Sequence, residues 1–231
     1  MHVAGVDGCR GGWLCLEQAG NIVRAFVRGS FSQLLECLGN ATIIAIDIPI
    51  GLPEAGKRSC DQLARKLLGP PRASSVFPVP IRSVLKEHDY KKASDKHRLI
   101  DGRGLSKQAF AILPKIDEVD SMLTSQPALQ QRVREVHPEV CFATWNSGAP
   151  MKSRKSLSAG RFERERLIES VWPEQRPGLV GQLRGAAYQA DDLNDAFAAL
   201  WTARRIASGF AAVLPATSTT DRHGLRMEMW A

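Results

Sequence analysis

The sequence predicts an α/β fold built on a mixed sheet, and three observations carry that prediction. Four apolar strand patterns fill the first 50 residues, Val3 to Asp7, Trp13 to Gln18, Ile22 to Val27 and Ile43 to Ile48. A single amphipathic helix pattern separates the third from the fourth, which is the order of a crossover that returns a strand beside the first. The strongest helix of the chain then comes late, from about Asp192 to Ala207.

Taken in order, Val3 to Asp7 runs into the tight turn Gly8-Cys9-Arg10-Gly11-Gly12. Trp13 to Gln18 follows, and Ala19-Gly20-Asn21 turns the chain into Ile22 to Val27, giving an antiparallel meander. Ser30 is the expected N-cap of a helix with Phe31, Leu34, Leu35 and Leu38 at i, i+3, i+4 and i+7, stopped by Gly39-Asn40. After Pro49-Ile50-Gly51-Leu52-Pro53, Cys60, Leu63, Ala64, Leu67 and Leu68 give a helical pattern that ends at Gly69-Pro70-Pro71. Arg72 to Gly104 has little periodicity and reads as an insertion or a long functional loop. Ser106 caps a further helix through Ala109, Ile112, Leu113, Ile116, Val119 and Leu123, which Pro114 should kink. The stretch from Val133 reads as a short strand whose end is marked by Pro138, with Glu139 just past it, residues 147–160 as a polar basic loop, and Phe162 to Trp172 as a helix. Gly224 to Trp230 alternates as a closing strand. The whole is one domain, 1–231, with an insertion over about 54–130.

At 231 residues, 44% hydrophobic and 24% charged, the chain can bury one substantial core and does not read as disordered. No apolar run approaches the roughly 20 residues of a membrane helix, and Met1-His2 leads straight into a strand pattern, so a cytoplasmic protein is expected. Cys9, Cys15, Cys37, Cys60 and Cys141 form no Cys-x-x-Cys pair and read as reduced thiols, with Cys9 the one beside the candidate site. The net charge of +7 is concentrated: Lys57 to Lys107 holds 13 basic against 5 acidic residues, and 151–166 holds six against two. A cationic rim around an acidic centre suits a polyanion, although a solvated basic surface has the same composition.

The acidic centre is Asp7, Asp47 and the pair Asp192 and Asp195. Asp7 and Asp47 end adjacent strands, at the sheet edge where open α/β sheets bind ligands. Buried carboxylates facing one another need a cation, which points to Mg²⁺ or Mn²⁺ held by Asp7, Asp47, Asp192 and Asp195. On the last helix Asp195, Ala196, Ala199 and Ala203 each lie within about 60° of Asp192, so small residues let an acidic face approach the sheet. Plainer roles exist: Asp7 and Asp47 as turn caps, and the helical pair as N-terminal caps. Glu139 is a further catalytic candidate, with Glu135 the alternative that faces the site and His137 either a site or a structural residue. Arg10, Arg82 and Lys107 are the expected phosphate contacts.

Seven separated motifs resemble one family. They are Gly5-Val6-Asp7-Gly8-Cys9-Arg10-Gly11-Gly12-Trp13, Ile46-Asp47-Ile48-Pro49-Ile50-Gly51-Leu52-Pro53, Arg58-Ser59-Cys60-Asp61, Ser75-Val76-Phe77-Pro78, Gly104-Leu105-Ser106-Lys107-Gln108, Glu135-Val136-His137-Pro138-Glu139 and Asp191-Asp192-Leu193-Asn194-Asp195-Ala196. Together they resemble the domain-of-unknown-function family numbered 429, described as predicted RNase H-like nucleases. The resemblance implies a five-stranded RNase H-like sheet, three strands antiparallel and two further ones parallel to the first, with helices on both faces. It also implies that Asp7, Asp47 and the acidic pair of the last helix match that superfamily's carboxylates, with Glu139 a looser match. The expected function is metal-dependent hydrolysis of a phosphodiester in nucleic acid. Asp7-Gly8-Cys9-Arg10-Gly11-Gly12 also resembles the first phosphate loop of sugar-kinase and actin-like ATPases, so a nucleotide phosphotransferase is one alternative and a non-catalytic binding protein another.

Overall fold

The computed structural model describes residues Met1–Ala231. Strands β1 (His2–Cys9), β2 (Gly12–Ala19) and β3 (Ile22–Arg28) form the antiparallel meander, with Cys9 opposite Gly12 at its first turn. Gly12 has φ 116°, and a Cβ there would lie 2.2 Å from the Arg28 carbonyl oxygen, so this turn admits only glycine. Helix α1 (Phe31–Leu38) starts at Ser30, whose hydroxyl accepts from Gln33 N–H, and stops at Gly39, whose N–H returns to Leu35 O. Strand β4 (Ile43–Ile46) then pairs parallel to β1, Val3 opposite Ile43 through Val6 opposite Ile46. Strand β5 (Val133–Glu135) lies parallel to β4 and completes the order β3-β2-β1-β4-β5. This is the mixed five-stranded sheet that the sequence predicts.

Alternation along the central strands feeds two cores. On one face Ala4, Val6, Ile44 and Ile46 meet Phe31, Leu34 and Leu38 of α1 and Ile116, Val119 and Leu123 of α5 (Leu113–Ser125). On the other, Val3, Leu14, Leu16 and Ala45 meet Leu193, Ala196, Phe197 and Leu200 of α9 (Ala190–Ala207). Both faces are buried, which is why these strands read as continuous apolar runs. The α9 contact is closest at Gly5, where a Cβ would lie 2.1 Å from Leu200 N and 2.4 Å from Ala196 O. Helix and strand therefore touch backbone to backbone, and Asp195 is carried to the end of β1.

The structure departs from the sequence reading between the sheet strands. Helix α2 (Ser59–Arg72) leaves helical geometry at Gly69 and Pro70, as expected, but adds a final turn to Arg72. The stretch read as a loop from Arg72 contains α3 (Tyr90–Asp101), capped by Asp89 and closed by Gly102. It buries only Ala93, Ser94 and His97, so no apolar stripe announced it. Pro114 does not kink one helix: α4 (Lys107–Ala111), capped by Ser106, ends at Ile112, and Pro114 lies in the first turn of α5, where its missing N–H costs nothing. The strand expected to end at Pro138 stops at Glu135, and Pro138 opens α6 (Pro138–Trp145). Helix α7 (Ser158–Val171) is the expected one and α8 (Gln175–Gln182) was not expected. The closing strand β7 (Arg226–Trp230) is not in the main sheet. It pairs antiparallel with β6 (Val213–Thr220), whose Pro, Thr and Ser residues give no strand periodicity. No helix is long and apolar enough to cross a membrane.

Candidate active site

Asp7, Asp47 and Asp195 meet from three parts of the fold in a cavity of about 230 Å³ at the carboxyl edge of β1 and β4, which Asp61, Glu135 and Asp192 also line. Asp7 is the sixth residue of β1, 7% exposed, and its Oδ1 accepts from Gly8 N–H at 2.8 Å. Asp47 follows β4, its backbone N–H bonded to Val6 O at 3.0 Å, so the parallel pairing continues just far enough to hold the two aspartates side by side. Asp195 comes from the second turn of α9 and is 2% exposed. Its Oδ2 accepts from Lys155 Nζ at 2.6 Å, while its buried Oδ1 has no hydrogen-bond partner. Asp192, half-buried, also lines the cavity, but its Oδ2 accepts from Gln189 N–H at 2.8 Å in a capping box. The capping role expected of the helical pair thus falls to Asp192 and leaves Asp195 for the site.

The electrostatics follow from this geometry. Burial, then repulsion from Asp47, Asp195 and Asp192, raises the Asp7 carboxyl well above the usual carboxylate range. Burial pushes Asp47 up to about 7 despite Lys155, with Glu139 adding to the rise, and Asp7 hydrogen-bonds to it. Burial also pushes Asp195 up to about 7 against the opposing pull of Lys155. Near neutral pH the cluster therefore retains protons that a cation would displace. Lys155, 43% exposed at its side chain and 3.4 Å from Asp191, is the one ammonium on the cluster. Lys115 faces it from α5, its ammonium donating to Gly12 O and lying 4.4 Å from the centre of the Trp13 ring.

The sequence did not single out Lys155 or Lys115. Lys155 lies within the basic loop 147–160, but nothing in its spacing separates it from Lys152 or Arg154. Lys115 sits on an ordinary helical face. His137 also lines the cavity: Nε2 is 3.2 Å from Ser75 O, Nδ1 is buried without a partner, and burial lowers its pKa, so the ring is neutral. Cys9 is buried and its thiol is pushed up by that burial, which removes it as a nucleophile.

Other expected residues do not converge here. Arg82 is buried and gives its guanidinium to Asp120, at 3.1 and 2.6 Å, and to Asp221; it is a structural cation, not a phosphate contact. Arg10 and Lys107 are exposed, in the β1–β2 turn and at the start of α4, and neither lines the cavity. Glu139, placed in the first turn of α6, is buried with one oxygen on Arg72 at 2.9 Å and the other on Arg164, so it cannot serve as a free base or metal ligand. Of Glu135 and Glu139, Glu135 is the one that lines this cavity, yet both its oxygens are on Arg58 at 2.7 Å.

The donor set suits a hard divalent cation. Its groups are carboxylate oxygens, one of them, Asp195 Oδ1, buried and unpartnered, and the arrangement is open rather than a closed cage. Asp7, Asp47 and Asp195 spread more widely than the compact trio Cys60, Asp61 and Glu135, whose ligand atoms lie within 4.8 Å of one another but whose carboxylates are held by Arg58. Openness of that kind fits Mg²⁺ or Mn²⁺, which keep several waters and take one or two protein carboxylates. No curated protein and no solved structure matches the chain. Residues 5–220 match the family described as "Protein of unknown function (DUF429)", and the chain belongs to that family.

Proposed function

We propose that this cavity hydrolyses phosphodiester bonds in nucleic acid with the help of Mg²⁺ or Mn²⁺ held by Asp7, Asp47 and Asp195, with Asp192 at the margin. The observation that carries the reading is the meeting of three under-compensated carboxylates from β1, β4 and α9 in one cavity. When bound, the cation supplies charge neutralisation and a more acidic water. The protein's own groups do the rest. Asp7 or Asp47, ionised once a cation compensates them, would orient a nucleophilic water and accept its proton as the water oxygen bonds to phosphorus; the P–O bond to the leaving oxygen breaks, and that oxygen takes a proton from solvent. Lys155, already at the cluster, is placed to pair with a substrate phosphate oxygen, and Lys115 with a second. The basic segments around Lys57 and 151–166 add sequence-independent attraction that salt weakens. Protons on the raised carboxylates compete with the cation, so metal affinity should grow as pH rises through about 7.

The test is cleavage of labelled single-stranded, duplex, hybrid and branched nucleic acids with Mg²⁺ or Mn²⁺, beside the Asp7→Asn variant. Cleavage that the variant loses by about 10²-fold or more supports the reading. Calorimetry that detects no Mg²⁺ or Mn²⁺ binding to the wild-type protein sinks it.

A further inference from the structure

A second cavity of about 340 Å³ adjoins the first and shares Asp47, Asp195, Lys155 and His137 with it. The two differ in chemistry. The first is walled partly by Ile48, Val76, Val79, Ile112 and Met229, whereas the second has Arg72, Arg154, Ser75 and Ser156 beyond the shared carboxylates. Arg72 is nine-tenths buried; one guanidinium nitrogen donates to Glu139 at 2.9 Å and to Ser75 Oγ at 3.1 Å, and its Nε has no partner. Glu139 is already neutralised from its far side by the buried Arg164. Arg154 is exposed and makes no ion pair. Arg72 and Arg164 therefore oppose the single carboxylate of Glu139, Arg154 stands free, and Ser75 and Ser156 line the same cavity. That makes an anion seat beside Asp47 and Asp195, which line both cavities.

We propose that this second cavity is a phosphate subsite, in which Arg72, Arg154 and the Ser75 and Ser156 hydroxyls hold the phosphate that neighbours the attacked one on a single nucleic acid strand. The assignment rests on the hydrolytic reading above. A neighbouring phosphate is selected because the two cavities share the Asp47 and Asp195 wall, so anions on either side of it are adjacent in the substrate. Both phosphates are assigned to one strand because the cavities share a wall, whereas phosphates on opposite strands are separated by a groove about 6 to 12 Å wide.

The experiment compares dinucleotides carrying a terminal phosphate at one end, at the other end, or at neither. Cleavage is measured with Mn²⁺ for the wild-type protein and for Arg154→Gln and Arg154→Lys, and binding of the same dinucleotides and of inorganic phosphate is measured calorimetrically on the Asp7→Asn protein with and without Arg154→Gln. A terminal phosphate at one end is expected to raise kcat/KM and affinity about tenfold, the size of one charge-assisted contact. Arg154→Gln is expected to reduce that advantage to less than about twofold while Arg154→Lys keeps most of it. Equal rates and affinities with and without the terminal phosphate, or an advantage that survives Arg154→Gln, overturn the subsite. Arg154-dependent binding of inorganic phosphate with no advantage for the phosphorylated dinucleotides overturns its assignment to a strand. Arg154-dependent preference in binding, with no cleavage by the wild-type protein, upholds the subsite and brings down the hydrolytic reading instead.

Discussion

Two buried acidic clusters in this protein are satisfied to opposite extents. Every oxygen of Asp221 has donors: Oδ1 accepts from His223 and Leu225 N–H at 2.9 and 3.0 Å, and Oδ2 from Leu52 N–H at 3.0 Å and from Arg82. Burial alone would raise its carboxyl, but the Leu52 N–H and Arg82 outweigh burial and hold it below the usual carboxylate range. Around Asp7, Asp47 and Asp195, one ammonium and one backbone N–H serve three carboxylates, Asp195 Oδ1 has no donor, and all three groups are raised. Burial of charge is common to both, so burial does not mark the functional cluster. Incomplete compensation separates them, and it is the feature on which the proposed function rests.

The sharpest way to break the comparison is Asp221→Ala. It removes one of the two carboxylate partners of Arg82 and strands the buried Leu52 and Leu225 N–H groups, and a loss of about 3–5 kcal/mol in urea unfolding is expected. The sign of its pH dependence is set by the depressed carboxyl: the stabilisation is full above the unfolded value near 3.8 and is lost as pH falls through the lower folded value. Wild type and variant should therefore converge in strong acid. A variant within about 1 kcal/mol of wild type at neutral pH would mean the cluster is not the closed unit described.

Legibility in the sequence follows the same division. The meander, crossover and last helix were readable because each buries an apolar stripe with a fixed period: Val3, Ala4 and Val6 on β1, Phe31, Leu34 and Leu38 on α1. Helix α3 and strand β6 bury little, so burial left no pattern in them. Asp7 and Asp47 were readable because an acid ending an apolar strand is conspicuous. Arg82, Glu139 and Lys155 were not, since an ion's role depends on which partner folding brings to it. Asp120, Asp221, Arg72 and Arg164 lie between 25 and 139 residues from the groups they neutralise, and Lys155 lies 40 residues from Asp195.

A substitution in the open cluster should act in the other direction. With folded carboxyls raised above the unfolded value near 3.8, the protons they hold stabilise the fold at low pH, and that stability is lost as pH rises through about 7. Without added metal, Asp47→Asn should therefore stabilise the protein at pH 8 by about 1–2 kcal/mol, a rise of a few degrees in Tm, because the three carboxylates share protons and one substitution relieves only part of the strain. At pH 5 the difference should shrink. Added Mn²⁺ should raise the Tm of the wild-type protein more than that of Asp47→Asn, reversing their order. A variant less stable than wild type at pH 8 without metal would remove the contrast between the two clusters.

The smallest effect tests whether the open cluster tolerates change in its wall. A Cβ at Gly8 would lie 3.0 Å from Lys115 Cδ and 3.3 Å from its Cε, the flexible part of a side chain, and Gly8 carries no positive φ. Gly8→Ala should then cost no more than about 0.5 kcal/mol in unfolding, since Lys115 can yield by a few tenths of an ångström. It should nevertheless shift the ammonium relative to the Gly12 carbonyl and the Trp13 ring and weaken both contacts, because the Lys115 stem passes over residue 8. If Lys115 contributes to phosphate binding, Gly8→Ala raises KM a few-fold with stability unchanged, and changed Trp13 fluorescence reports the displacement directly. A loss of stability with no change in KM or fluorescence would instead make Lys115 a packing residue and leave Lys155 as the sole cation of the cluster.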